Sequence, residues 1–370
     1  MREYVLTGVL VAAVTYLLTP YARRFAIATH SYTEVRERDV HTIPTPRLGG
    51  LAIFGGLCAG LLVASRLPTL HRAFQTSDIR GVLLGGLVLV LLGAADDRWG
   101  LDALTKLAGQ ILAAGIMVLN GVQLLYLPIP GQGALSLGLD LGVPLTILFV
   151  VVTINAINFI DGLDGLAAGV VAIASLSFFA YSYELSVVHH FDRATAPTLL
   201  TAVLAGACIG FLPHNFNPAR IFMGDSGSML LGLVLAAATL SLTGQLDPNA
   251  LPADDFAPGL LPLLLPLAIV AVPVGDLVLA VVRRSRARQA PWAPDKQHLH
   301  HRLLRLGHSH ARAVLMMYGW SALIAGGTVT VALAHHRPLL ILSFVLIAAA
   351  ILLVASSVPR LRLAHRTSGH

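Results

Sequence analysis

Charge is what this chain has least of. Asp, Glu, Lys and Arg make up 12% of its 370 residues, about half of the roughly 25% that soluble domains carry. With 56% hydrophobic residues and a mean hydropathy of +0.76, too few polar groups remain to cover a water-facing surface, so the composition specifies an integral membrane protein. Cysteine is nearly missing as well. The two present, Cys58 and Cys208, sit in apolar runs, which excludes a disulfide-stapled scaffold and reads as small buried hydrophobes. No internal repeat or low-complexity tract is evident, which argues against disorder. A pI near 9.7 would suit a nucleic-acid binder, but the hydrophobic bulk excludes one.

A bilayer core needs roughly 20 mostly apolar residues per helix. Runs bounded by charge, proline or polar clusters predict spans at 4–21, 48–65, 80–95, 103–119, 143–157, 162–183, 197–212, 226–242, 259–282, 313–334 and 338–358. That gives an all-α polytopic membrane protein of about eleven transmembrane helices, the short fifth being the least regular. Arg23 and Arg24 follow the first run and no small-residue cleavage site does, so the first span reads as a retained helix rather than a signal peptide.

An odd number of spans puts the termini on opposite sides, and basic residues decide which. With the carboxyl terminus inside, all but six of the 25 Lys and Arg residues (Arg2, Arg66, Arg72, Arg80, Arg193 and Arg337) fall on the inner loops. This positive-inside split predicts an outside amino terminus and a cytoplasmic carboxyl terminus. Residues 1–370 then read as a single membrane domain with cytoplasmic loops at about 22–47, 96–102, 158–161, 213–225, 283–312 and 359–370. The net charge of +6 becomes a one-sided basic face, serving topology and anionic lipid or a polyanionic substrate.

Four polar constellations lie on that side. The run 94–100 (Ala-Ala-Asp-Asp-Arg-Trp-Gly) ends a span, and Asp96 and Asp97 repel each other unless a cation or proton lies between them. Asp102, Lys106 and Gln110 follow at helical spacing on one face, so the Lys106 ammonium is expected to point back at the acid pair; a helix cap with a loop ion pair is the plainer alternative. Asn155, Asn158, Asp161 and Asp164 recur at three-residue steps where one span closes and another opens. Oxygen-bearing groups there are costly near hydrocarbon, and Gly162 and Gly165 allow close backbone approach. The segment 220–228 (Arg-Ile-Phe-Met-Gly-Asp-Ser-Gly-Ser) opens a span with the groups that favour phosphate at a helix start, or with an Asp that holds a hard cation. Finally, 295–302 (Asp-Lys-Gln-His-Leu-His-His-Arg) runs to His308 and His310 in a basic loop. No cysteine lies nearby, so phosphate contact is favoured over zinc.

Asp276 is an intramembrane carboxylate and a functional candidate, but a structural partner such as Arg47 or Lys106 explains it equally well, so it stays outside the catalytic set. His189-His190 and His335-His336 fall on the outer side and read as interfacial.

In this order, together with His41-Thr42-Ile43-Pro44-Thr45-Pro46-Arg47-Leu48-Gly49-Gly50, these segments resemble the polyprenyl-phosphate N-acetylhexosamine-1-phosphate transferases over nearly the whole chain. The histidine loop lacks the three consecutive histidines followed by Phe-Glu of the peptidoglycan enzyme, and resembles the WecA and TagO branch. That resemblance implies transfer of N-acetylglucosamine 1-phosphate from UDP-N-acetylglucosamine to a decaprenyl or undecaprenyl phosphate, releasing UMP. It also implies a site that faces the cytoplasm of a bacterial plasma membrane.

By the same resemblance, Asp225 and Asn158 would hold Mg²⁺, with Mn²⁺ as an alternative. Phe222 would stack on uracil, and Asp164 would bond the base. Asn155 and Arg302 would assist substrate binding; Lys106, His298, His300 and His301 would contact phosphates or sugar. Asp96 and Asp97 would face the lipid phosphate, and Asp161 would belong to the catalytic set with a less defined role. The expected partners are UDP-N-acetylglucosamine, polyprenyl phosphate and membrane lipid, with a homodimer left open and nucleic acid excluded. Two alternatives stand beside this expectation: muramoyl-pentapeptide phosphate transfer, and transport of an anionic solute.

Overall fold

The structure, a computed structural model, describes residues 1–32, 45–129, 133–188, 191, 194–243, 309–333 and 338–357. Ten α-helices occupy the described residues. They are α1 (Arg2–Ala28), α2 (Gly49–Ala64), α3 (Asp78–Trp99), α4 (Ala103–Leu119), α5 (Gly138–Ile160), α6 (Leu166–Tyr183), α7 (Thr195–Asn215), α8 (Gly224–Thr243), α9 (His310–Leu333) and α10 (Pro338–Ser357). Seven of them are long and apolar enough to cross a membrane, and α2 and α4 are shorter apolar helices. Ten of the eleven expected spans coincide with these helices. The ninth, 259–282, lies outside the described residues, as do Asp276, the histidine loop, His189-His190 and His335-His336.

Two expectations need correction. The chain is not purely α-helical, because Tyr126–Ile129 and Gly133–Ser136 pair as an antiparallel hairpin between α4 and α5, with Tyr126 opposite Ser136 and Ile129 opposite Gly133. The helices also run past their apolar stretches, so the loops are shorter than expected. Asp96 and Asp97 lie in the last turn of α3, Asn158 lies inside α5, and the loop expected at 158–161 is in fact 161–165. A helix ends where its backbone groups find other partners, not where hydrophobicity stops. Gly100, at φ +68°, closes α3, and the Asp102 carboxylate opens α4 by accepting from Leu104 N at 2.9 Å and Thr105 N at 3.0 Å.

α8 is the axis of the bundle. Every residue from Ser226 to Thr243 is buried, and α2, α3, α5 and α7 pack around it. Several hydroxyls inside the apolar helices bond to the carbonyl one turn back, as Thr153 does to Phe149 O (2.8 Å) and Thr239 to Leu235 O (3.0 Å), which satisfies these without water. Small residues let backbones touch. A Cβ on Gly206 or Gly210 of α7 would collide with carbonyls of Gly8 and Ala12 in α1, the close approach by which helices associate in lipid.

The same device governs the amino terminus of α8. A Cβ on Gly93 of α3 would fall on Ser226 N, and one on Gly50 of α2 on Gly227 N. Gly93→Ala is therefore expected to destabilise the protein by about 1–3 kcal/mol, as overpacking does. It should also shift α8 enough to reduce turnover, both readable by thermal unfolding and activity in detergent.

Candidate active site

The ends of α3, α5 and α7 and the starts of α2, α4, α6 and α8 meet at one end of the bundle, and the motif residues meet with them. Their arrangement splits the acid pair. Asp96 is half-buried, its Oδ2 accepting from Lys106 Nζ at 3.1 Å and its Oδ1 from Leu101 N at 2.7 Å. The Lys106 ammonium also donates to Asp225 Oδ2 at 3.0 Å, so one cation joins α3, α4 and α8. The helical-spacing argument for Lys106 is thus met. Asp102 and Gln110 take other work. Asp102 caps α4, and hydrogen bonds, first from the Thr105 hydroxyl and then from its backbone N–H, hold its carboxyl below the usual carboxylate range.

Asp97 turns inward. It is buried, with Oδ1 accepting from Asp225 N at 3.0 Å and Oδ2 from Ser226 N at 3.3 Å and Ser226 Oγ at 3.1 Å. A carboxylate from one helix thereby caps the next, where the helix dipole favours negative charge. Gly224 permits this at φ +69°, since a Cβ there would overlap the Asp97 carboxylate. Asp97 therefore acts on the start of α8, whereas Asp96 pairs with Lys106.

Asn158 donates through Nδ2 to Ser228 Oγ at 2.8 Å, which ties α5 to the start of α8. Asp161 follows in the loop. Its carboxyl is pushed well above the ordinary carboxylate range, first by burial and then by the Asp225 charge. Asp164, expected to meet a nucleobase, is buried with its Oδ2 accepting from Asn217 Nδ2 at 3.0 Å and Ala219 N at 2.9 Å. It fastens the loop 161–165 to the loop that leads into α8. Asn155 exchanges amide hydrogen bonds with Gln110, at 2.7 and 3.4 Å. Phe222 is half-buried, and its backbone pairs with the strap before α2: Phe222 N donates to Pro46 O at 2.8 Å and Gly49 N to Phe222 O at 3.0 Å. His298, His300, His301 and Arg302 lie outside the described residues.

The sequence reading gave no role to Asn215, Asn217 or Tyr318, and named Arg47 only within the 41–50 motif and as a candidate partner for Asp276. Asn215 accepts from Gly165 N at 3.1 Å and donates to Ile221 O at 3.0 Å, and Tyr318 of α9 donates to Gly165 O at 2.5 Å. The polar pair Asn215 and Asn217 closing an apolar run was the available signal. Nothing in the sequence marked Tyr318.

Among the described residues, no three His, Cys, Asp or Glu side chains converge to hold a metal alone. Mg²⁺ takes one or two carboxylates together with waters and substrate phosphates. Asp225 and Asn158 supply hard oxygens, and the Asp96 and Asp225 carboxylates already share a cation in Lys106.

Tyr318→Phe removes one donor to Gly165 O and is expected to cost about 0.5–1.5 kcal/mol, measurable as a lowered Tm. Because the Asp161 pKa is raised in the folded chain, the folded state holds its proton at pH values where the unfolded chain has lost it. Stability should then fall as pH rises above the ordinary carboxylate pKa of about 4. Asp161→Asn should flatten that slope in Tm against pH; an unchanged slope would remove Asp161 as its source.

The sequence profile of glycosyl transferase family 4 matches residues 79–243, which span α3 to α8. The chain is 47% identical to the decaprenyl-phosphate N-acetylglucosaminephosphotransferase of Mycolicibacterium smegmatis and 46% identical to that of Mycobacterium tuberculosis, in each case over 88% of this chain and 82% of the relative. It is 33% identical to a probable undecaprenyl-phosphate N-acetylglucosaminyl 1-phosphate transferase of Bacillus subtilis, over 82% of this chain and 77% of the relative. Such identity across most of both chains leaves no room for a transporter reading: the protein is a membrane-embedded transferase and belongs to the polyprenyl-phosphate N-acetylhexosamine-1-phosphate transferases of glycosyl transferase family 4.

Proposed function

We propose that this chain transfers N-acetylglucosamine 1-phosphate from UDP-N-acetylglucosamine to a polyprenyl phosphate, releasing UMP, with a Mg²⁺ requirement and a site on the cytoplasmic face of the plasma membrane. The observation that carries the reading is the cluster of Asp96, Lys106 and Asp225 at the common end of α3, α4 and α8, in a chain 47% identical to a decaprenyl-phosphate N-acetylglucosaminephosphotransferase. The basic inner loops support the orientation, with the amino terminus outside and about eleven spans.

A lipid phosphate oxygen attacks the phosphorus bonded to the sugar. The new P–O bond forms as the bond to the bridging oxygen breaks, and UMP leaves with that oxygen. A phosphate monoester has its second pKa near 6 and is mostly dianionic at pH 7, so the attacking group needs no strong base. Positioning and charge neutralisation do the work in such transfers. Asp225 and Asn158 would hold the Mg²⁺, which when bound neutralises charge on the diphosphate. Lys106 offers its ammonium to phosphate oxygens, Asp96 pairs with that ammonium, and Asp97 holds the start of α8 in register. The histidine loop remains the proposed contact for phosphate and sugar.

The test is purified protein in lipid with Mg²⁺, decaprenyl phosphate and radiolabelled UDP-N-acetylglucosamine. Lipid-linked product and UMP are expected in equal amounts. Turnover of the UDP-muramoyl-pentapeptide donor instead would replace this reading. Lys106→Met should lower kcat by roughly 10²–10³, as loss of a preorganised charge does. Asp225→Asn should abolish Mg²⁺ activation at unchanged Tm, whereas Asp97→Asn should lower Tm and rate together.

A further inference from the structure

The reaction proposed above brings a nucleotide diphosphate and a phosphate monoester to a place already crowded with negative charge. Asp96, Asp97 and Asp225 gather there, and Lys106 is shared between Asp96 and Asp225. Beside the histidine-loop contacts proposed above, a second basic side chain near these groups would help to balance the charge of the substrates. The strap before α2 carries one.

Arg47 sits between two residues stitched to the segment that leads into α8. Pro46 O accepts from Phe222 N, and Gly49 N donates to Phe222 O, while Arg47 N donates to Ser31 O at 3.0 Å and Gly50 N to Met223 O at 3.0 Å. Leu48, next in the chain, adopts φ +91° and is buried. A left-handed leucine is strained and persists where its surroundings over-determine it. The turn it makes sends Leu48 into the core and Arg47 toward the site, with its backbone fixed on both sides.

The guanidinium ends 3.9 Å from Asp97 Oδ1, the Arg47 side chain remaining 35% exposed while Asp97 is fully buried. This is not the short, forked pair that Arg and carboxylate make when they exist for each other. Both Asp97 oxygens are already engaged by the first N–H groups of α8 and by Ser226 Oγ. The guanidinium therefore lies beside the Asp97 carboxylate at a distance beyond hydrogen bonding.

We infer that Arg47 is a phosphate-binding residue of this site, its guanidinium taking a phosphoryl group of the nucleotide diphosphate or of the lipid phosphate. Its planar fork matches phosphate oxygens as an ammonium does not. The inference rests on the transfer reaction proposed above.

The test uses the full chain in lipid and compares Arg47→Gln and Arg47→Lys with wild type. Turnover is measured with each substrate varied in turn, beside Tm and equilibrium binding of UDP and of decaprenyl phosphate. Arg47→Gln is expected to raise one KM roughly 10- to 100-fold, in keeping with loss of a charged hydrogen bond, at unchanged Tm. Arg47→Lys should restore only part of it. A rise in the KM for UDP-N-acetylglucosamine with weaker UDP binding assigns the nucleotide phosphate; a rise for decaprenyl phosphate assigns the lipid. Unchanged KM and kcat in Arg47→Gln would overturn the inference. So would complete rescue by Arg47→Lys accompanied by recovery of a lowered Tm, the behaviour of a purely structural ion pair. If wild type fails to turn over UDP-N-acetylglucosamine, the transfer reading falls, and the two binding measurements still decide Arg47.

Discussion

The first N–H groups of a helix have no partner within it, and α8 is buried from Ser226 to its end, so water cannot serve them. The Asp97 carboxylate does, reaching from the last turn of α3 to Asp225 N and Ser226 N. Because Asp97 bonds the backbone of Asp225 itself, the position of the adjacent metal-candidate carboxylate follows from the position of α3. A buried charge of this kind is tolerable because it is fully hydrogen-bonded and faces the positive end of a helix dipole.

Everything around that cap is arranged to let it close. Gly50, Gly93 and Gly224 are each placed where a Cβ would strike α8 or the Asp97 carboxylate. Asn158 holds the next turn through Ser228, and the interlocked loops around Asp164 and Asn215 deliver the chain into Gly224 from the other side. Two strategies meet here: steric exclusion by glycine on the α2 and α3 sides, and hydrogen bonding on the α5 and α6 sides.

Much of this was legible before any coordinates. Hydrophobic runs located ten of the helices because the bilayer demands apolar length. The ends were less legible, since α3 continues through Asp96 to Trp99 and α5 through Asn158, and the polar residues that look like loop belong to helix. The helical spacing of Asp102, Lys106 and Gln110 predicted the direction of Lys106 correctly. It could not tell that Asp102 would be consumed by Leu104 and Thr105, or that Gln110 would find Asn155. Asp164 carried a chemical expectation, yet its oxygen serves Asn217 and Ala219, contacts between loops about fifty residues apart that no local pattern encodes. The hairpin 126–136 was missed because two four-residue strands leave a faint signal between long apolar runs.

Lys106 has a consequence for how any cation comes to this site. Its ammonium lies between Asp96 and Asp225 at 3.1 and 3.0 Å, compensating two carboxylates that would otherwise repel. A metal bound at Asp225, as proposed, would meet a seat already taken, so its binding would be an exchange in which a tethered monovalent ion yields to a free divalent one. The affinity observed is then a difference between two favourable states. The ammonium displaced from Asp225 would keep its partner in Asp96, so the resting ion pair would hold in reserve the charge that a phosphate substrate requires.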